Sequence, residues 1–195
     1  MDCYSLPTCV QINGQEFKIR NQADYRLILD CFDALEDIEL ESDMRVYTAM
    51  IIFYEDLSDL DDIPKVFGDY IKDAISEMYR FFNCGKESVG AKIPYKLIDW
   101  QEDSQMIAAA INNVTKKEVR QESYIHWWTF MGYYCSIGES TFATVVGIRW
   151  KIANHKKLEK HERDFKNQNP EYFNWDAKSV TQKENDELLK SLWNQ

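Results

Sequence analysis

The sequence predicts a mainly α fold of the α+β class: an N-terminal β-hairpin, a bundle of about six helices and a short C-terminal helix. Three observations predict it. Apolar residues recur at helical spacing through most of residues 25–166. One Asn-Gly dipeptide, Asn13-Gly14, stands between alternating apolar residues near the start. The 195 residues include only 7 Gly and 4 Pro, too few for a turn-dense all-β chain. A hydrophobic content of 45% and an aromatic content of 14% can fill a core and exclude a disordered chain.

Each element follows from local chemistry. Val10, Ile12, Phe17 and Ile19 alternate about Asn13-Gly14. Both turn residues accept the positive φ of a type I′ turn, so residues 8–20 read as a hairpin. A lone hairpin is marginal, so one edge must be covered. Tyr25, Ile28, Leu29, Phe32 and Leu35 form the stripe of a first helix. Ser42 can cap a second, whose apolar face is Val46, Ala49, Met50, Phe53 and Tyr54. Pro64 suits the first turn of a third helix that carries Phe67, Tyr70, Ile71, Ala74, Met78 and Phe81 and ends at Gly85. A looser stretch with Gly90 and Pro94 follows.

A fourth helix opens near Asp99, where Asp99 and Glu102 have capping-box spacing, and continues through Met106, Ile107, Ala110 and Ile111. A fifth holds Tyr124, Trp128, Met131 and Cys135. A sixth carries Phe142, Val145, Val146 and Ile152 and runs through a basic stretch to about Lys166. Residues 1–166 thus read as one helical domain. Residues 167–195 read as a linker around Pro170 and a tail helix, with a Thr181/Glu184 capping box and Leu188, Leu189, Leu192 and Trp193 on one side.

The net charge of −10 disfavours a general nucleic-acid or anionic-membrane binder. The charge is uneven: residues 1–111 hold 22 acids and 10 bases, residues 112–195 hold 11 acids and 13 bases. The acidic block Asp24–Asp62 reads as solvated helix faces or as an interaction surface. The start lacks the basic and apolar regions of a secretory signal, and Trp127–Cys135 is too short to span a bilayer. Five scattered cysteines with no C-x-x-C pair suit a reducing cytosol.

Candidate chemistry is sparse. Asp99 and Asp103 lie four apart and could share a site for acid–base work or, with Glu102, a divalent cation; capping explains them equally. His126-Trp127-Trp128 reads as a doubly packed central helix or as an aromatic anchor for a partner, with His126 an interior hydrogen-bonding residue. The basic stretch from Arg149 to Lys166 has its Lys and Glu residues at salt-bridging spacing; it could also dock an acidic neighbour or a nucleic acid. No Walker loop, G-x-G-x-x-G, G-x-S-x-G or H-E-x-x-H motif occurs, and the His and Cys residues have no zinc spacing.

Four stretches together resemble a known family. They are Leu6-Pro7 with Ile12-Asn13-Gly14, Phe17, Ile19 and Asp24-Tyr25-Arg26; Phe82-Asn83-Cys84-Gly85-Lys86; Asp99-Trp100-x-x-Asp103 with Ile107 and Ala109-Ala110; and His126-Trp127-Trp128-x-Phe130 with Phe142 and Arg149. The family comprises small proteins encoded just before the tape-measure gene in long-tailed phages and prophages of Gram-positive bacteria. Their proposed role is tail-assembly chaperone.

The resemblance implies a non-enzymatic protein without cofactor or metal that coats the tape-measure protein in the host bacterial cytoplasm and is absent from the mature virion. It also implies a homo-oligomer, with an upstream tail-assembly protein as a further partner and no nucleic acid or membrane. On this reading Trp127, Trp128, Phe130 and Tyr134 contribute to the partner-binding groove. Asp99, Asp103, His126 and Arg149 fix the interior. Two other readings remain open: a small divalent-metal-dependent enzyme using Asp99 and Asp103, and a regulatory nucleic-acid-binding protein.

Overall fold

The computed structural model describes residues 4–86 and 96–173. It is mainly helical with an N-terminal two-stranded sheet. Contacts group these residues into two compact units, 4–86 with 124–131 and 96–123 with 132–173.

The first unit opens with β1 (Cys9–Ile12) and β2 (Gln15–Lys18), paired antiparallel with Val10 opposite Phe17 and Ile12 opposite Gln15. Asn13 and Gly14 both have positive φ, 48° and 78°, as the turn requires. Val10 and Ile12 are buried. After the hairpin, Asn21, Gln22 and Ala23 all take left-handed backbone angles, uncommon for residues with a Cβ. Two bonds brace this turn: Tyr124 donates its hydroxyl to Gln22 O at 2.9 Å, and Asp24 N–H donates to Asn21 O.

Helix α1 (Tyr25–Glu36) packs along α2 (Ser42–Phe53). Their shared core includes Ile28, Cys31, Val46, Ala49, Met50 and Phe53, all buried. The guanidinium of Arg20 donates to the carbonyls of Ile51 and Tyr54, at 3.2 and 3.0 Å, and of Leu57. It thereby serves carbonyls at and just beyond the end of α2 that the helix itself leaves open. At the start of α2 the cap is Glu41, and Ser42 is the first helical residue rather than the cap.

The expected third helix is broken. Its first part is α3 (Asp62–Phe67) and its second is α4 (Ile71–Phe82), with Gly68 between them at φ 51°, ψ −123°. That combination is open to glycine and closed to L side chains, so the apolar stripe continues in sequence while the axis does not. The helix ends in a Schellman pattern: Cys84 N–H reaches Phe81 O and Gly85 N–H reaches Arg80 O. The left-handed residue at this cap is Cys84, φ 55°, one before the glycine expected to end the helix.

The second unit holds α5 (Ser104–Thr115), the end of α6 (Trp127–Cys135), α7 (Thr141–Ala153) and α8 (Lys160–Gln168), followed by a 3₁₀ turn at Pro170–Phe173. Helices α5 and α7 pack together. Helix α5 starts at Ser104, later than the sequence suggests, because Asp99–Asp103 forms a turn ahead of it. Tyr124 lies before α6 rather than within it.

The basic stretch is not one helix. Asn154 caps α7 and donates its amide to Trp150 O, and His155 takes a left-handed φ of 53°. His155 N–H meets Ile152 O and Lys156 N–H meets Lys151 O, a second Schellman end. Glu159 and Glu162 then form a capping box for α8. The looser stretch around Gly90 and Pro94, and the tail helix after Thr181, lie outside the described residues. Among the described residues no helix is long and apolar enough to cross a membrane.

The break at Gly68 is a backbone requirement, since nothing lies within 4 Å of an added Cβ there. Gly68→Ala is expected to destabilise the chain by about 1–3 kcal/mol, measured as a lower urea midpoint. An unchanged midpoint would show that the break does not depend on glycine.

Candidate functional site

Three of the four resemblance stretches meet in the first unit, at the start of α6. His126 precedes the helix. Its Nδ1 accepts the Trp128 N–H at 3.0 Å, capping the helix start. Its Nε2 lies 2.9 Å from Pro7 O, so this nitrogen carries the proton and donates it. The ring is therefore the neutral Nε2–H tautomer. Burial pushes its pKa below 6.5, opposed by the bond to Pro7.

The two tryptophans have a common task. Trp127 donates its indole N–H to Phe82 O at 2.9 Å, and Trp128 donates to Phe81 O at 3.1 Å. These are the last two carbonyls of α4. With Tyr79 O taken by Asn83 N–H and Arg80 O by Gly85 N–H, every carbonyl of the last turn of α4 has a partner. Gly85 also lets the Trp128 ring approach: a Cβ there would lie 3.2 Å from it.

Asp24 ties α1 to the same place. One oxygen accepts Arg26 N–H at 3.0 Å, capping α1, and the other accepts Ile125 N–H at 2.9 Å. Tyr25 N–H returns a bond to Ile125 O. The Tyr25 ring stacks on Phe130, centroids 4.3 Å apart and planes 3° from parallel. The Arg26 guanidinium lies over the Tyr25 ring, 4.5 Å from its centroid, and also pairs with Asp24. The only sequence signal for Asp24, Tyr25 and Arg26 is their place in the resemblance.

Of the four expected partner-binding residues, Trp127 and Phe130 are buried in this unit and Trp128 is half-buried. Tyr134 belongs to the second unit, where its ring meets Trp100 and Phe142 at centroid distances of 5.2 and 5.8 Å. Burial is the main cause raising the Tyr134 hydroxyl pKa to about 12.

The second unit is pinned by Arg149. Its guanidinium forks onto Asp103, Nη1–Oδ2 2.6 Å and Nη2–Oδ1 3.0 Å, with both side chains buried. It also donates to Leu97 O at 3.0 Å and twice to Tyr172 O. Asp103 accepts Asp99 N–H, and Asp99 accepts the N–H groups of Gln101 and Glu102 and pairs with Lys96. Asp99 and Asp103 thus brace one turn rather than face a common site from one helix. The capping role expected of Glu102 toward Asp99 is performed by Asp103. A cation held by Asp103 would have to displace the guanidinium. Among the described residues no three His, Cys, Asp or Glu side chains gather as a metal site would need. In the basic stretch, Lys151 pairs with Glu162 at 2.7 Å, and Lys156 lies 4.0 Å from the centroid of the exposed Trp150.

The described residues define a mainly helical protein whose motif side chains hold its own backbone in place. The comparison with protein families gives the class a particular identity. The chain belongs to the Bacteriophage Gp15 protein family, whose model matches residues 4–174. It is a phage protein by that membership. Neither a curated protein nor a solved structure matches the chain significantly.

Two measurements test the geometry. The native state holds His126 neutral and the unfolded chain protonates it near 6.5, so stability is lost as pH falls below about 6.5 and levels off below the native pKa. His126→Asn keeps a capping acceptor and does not titrate. The stability gap between wild type and this variant should therefore narrow from pH 7.5 to 5.5; a constant gap would contradict the neutral assignment. Arg149→Met leaves Asp103 buried without its partner and should cost about 3–5 kcal/mol in urea unfolding. A loss under 1 kcal/mol would show the pair to be dispensable.

Proposed function

We propose that this protein is a tail-assembly chaperone that binds the tape-measure protein and keeps it soluble before the tail tube polymerises. The observation that carries the reading is the family match over residues 4–174, which spans all four stretches on which the chaperone resemblance rests. Four buried polar members of those stretches, Asp24, Asp103, His126 and Arg149, are committed to backbone groups and to one another, which fits a protein that works through its surface rather than by catalysis.

The physics is consistent. A tape-measure protein exposes long apolar stripes that would aggregate unaided. A chaperone covers them through many weak contacts, with avidity from several copies of this chain. The described residues of the first unit hold 17 acids and 8 bases, and such a coat keeps the complex soluble. The complex forms in the host bacterial cytoplasm and leaves before the virion matures. An upstream tail-assembly protein is a further partner of the same kind.

Co-expression tests it. The tape-measure protein of the same phage or prophage should move from the pellet to the soluble fraction and co-purify with this chain as a multi-copy complex. Assembly should weaken as salt rises from 0.1 to 1 M, where the screening length shrinks from about 10 to about 3 Å. A tape-measure protein that stays in the pellet would overturn the proposal.

A further inference from the structure

Helix α7 of the second unit buries one side and leaves the other open. Phe142, Val145, Ile148 and Arg149 are its buried residues. Ala143, Gly147 and Trp150 recur at i, i+4 and i+7 on the opposite side, and all three are exposed, Trp150 to 41%. This face is small at two positions and large at the third.

Two observations set it apart from ordinary surface. A glycine in a helix interior weakens the helix relative to alanine. Gly147 has no positive φ to require it, and nothing lies within 4 Å of an added Cβ there. Its missing side chain is therefore used by nothing in the described fold. One turn away, the bulky Trp150 ring is held in place by Lys156, whose ammonium lies 4.0 Å from the ring centroid. A held aromatic beside open space is a knob beside a hole.

The occupant follows from the face itself, which complements its own copy. Two α7 helices packed antiparallel, centred between Val146 and Gly147, set each Trp150 against the other's Ala143 and Gly147, so two knobs fill two holes. The helix ends agree. The exposed acid Glu139 precedes α7, and the exposed Lys156 and Lys157 follow it. Antiparallel pairing brings each acid toward the other copy's lysines, whereas parallel pairing sets lysine beside lysine. The second unit adds no like-charge barrier, since its described residues hold 10 acids and 11 bases.

We propose that the outer face of α7 is a two-fold interface between copies of this chain, with Trp150 of each seated over Gly147 of the other. A helix of 13 residues is about 20 Å long, so the contact is small and the dimer weak, with a Kd of about 10–100 µM. Such a contact supplies the joining of copies that the chaperone reading calls for, but it does not rest on that reading. A tape-measure protein left in the pellet would end the chaperone reading and leave this dimer standing.

Sedimentation equilibrium of the full chain tests it. A monomer–dimer equilibrium is expected, and a chain still monomeric at about 500 µM would overturn the proposal. Gly147→Gln is the deciding variant. It adds helix propensity, so the urea midpoint of the dilute monomer should rise, while the filled hole weakens the dimer about tenfold or more. A raised midpoint with unchanged association would mean that Gly147 serves no interface, and would also overturn the proposal. Trp150→Ala should weaken the dimer similarly. Glu139→Lys should weaken it too, and adding Lys157→Glu should restore it; failure of that charge swap to restore association would contradict the antiparallel pairing.

Discussion

Every backbone carbonyl at the end of a buried helix needs a donor, and the first unit depends on how this chain meets that need at α4. Helix α4 ends among buried aromatic side chains, with Phe81 and Phe82 both inside. Water cannot serve carbonyls there, and leaving one unmade costs about 1–3 kcal/mol. The chain brings in two indole N–H groups from a segment more than 40 residues later. Adjacent tryptophans are unusual in a helix core; here Trp127 supplies the donor for Phe82 O, and Trp128 adds a second donor to Phe81 O, which also accepts the Cys84 N–H. The same segment delivers His126 to Pro7 O and Ile125 to Asp24. The start of α6 thereby joins the segment before the hairpin, α1 and α4 by directed bonds that apolar packing alone would not specify.

The second unit answers the same need with charge instead of aromatic donors. Arg149 offers its fork to Asp103 and further donors to two carbonyls in separate segments, Leu97 and Tyr172. A buried ion pair alone is weak evidence of stability, because desolvation offsets the attraction. Here the guanidinium also satisfies backbone groups, so its removal leaves several polar atoms stranded at once. The motif residues in both units therefore act on the fold, and the functional surface is to be sought where side chains are half-exposed. Trp150 of α7 is such a side chain, 41% exposed.

The hairpin and the helical stripes were legible because they are written in local periodicity and in one turn dipeptide. Val10, Ile12, Val46, Met50 and Phe53 are buried as their spacing required. Helix ends were less legible. Gly68 interrupts an unbroken stripe, Cys84 and His155 take left-handed angles that a residue scan assigns to glycine, and Asn154 stops a helix that charge patterning would have continued. Each is decided by backbone geometry that apolar period does not record. The tertiary partners were not legible at all. Nothing local says that Asp103 meets Arg149 or that Trp127 caps Phe82 O, because those pairs are 46 and 45 residues apart. Family resemblance marked these residues without saying what they touch.

The start of α6 is the fixed point of the first unit. Native-state hydrogen exchange measures this directly. The amides of Tyr25, Ile125 and Trp128 bond respectively to Ile125 O, Asp24 and His126. They should exchange only through global opening of the unit, with the same free energy and denaturant slope as the buried amides of α1 and α2. If they instead open at markedly lower free energy while α1 and α2 stay protected, the junction follows the packing of the helices and does not specify it.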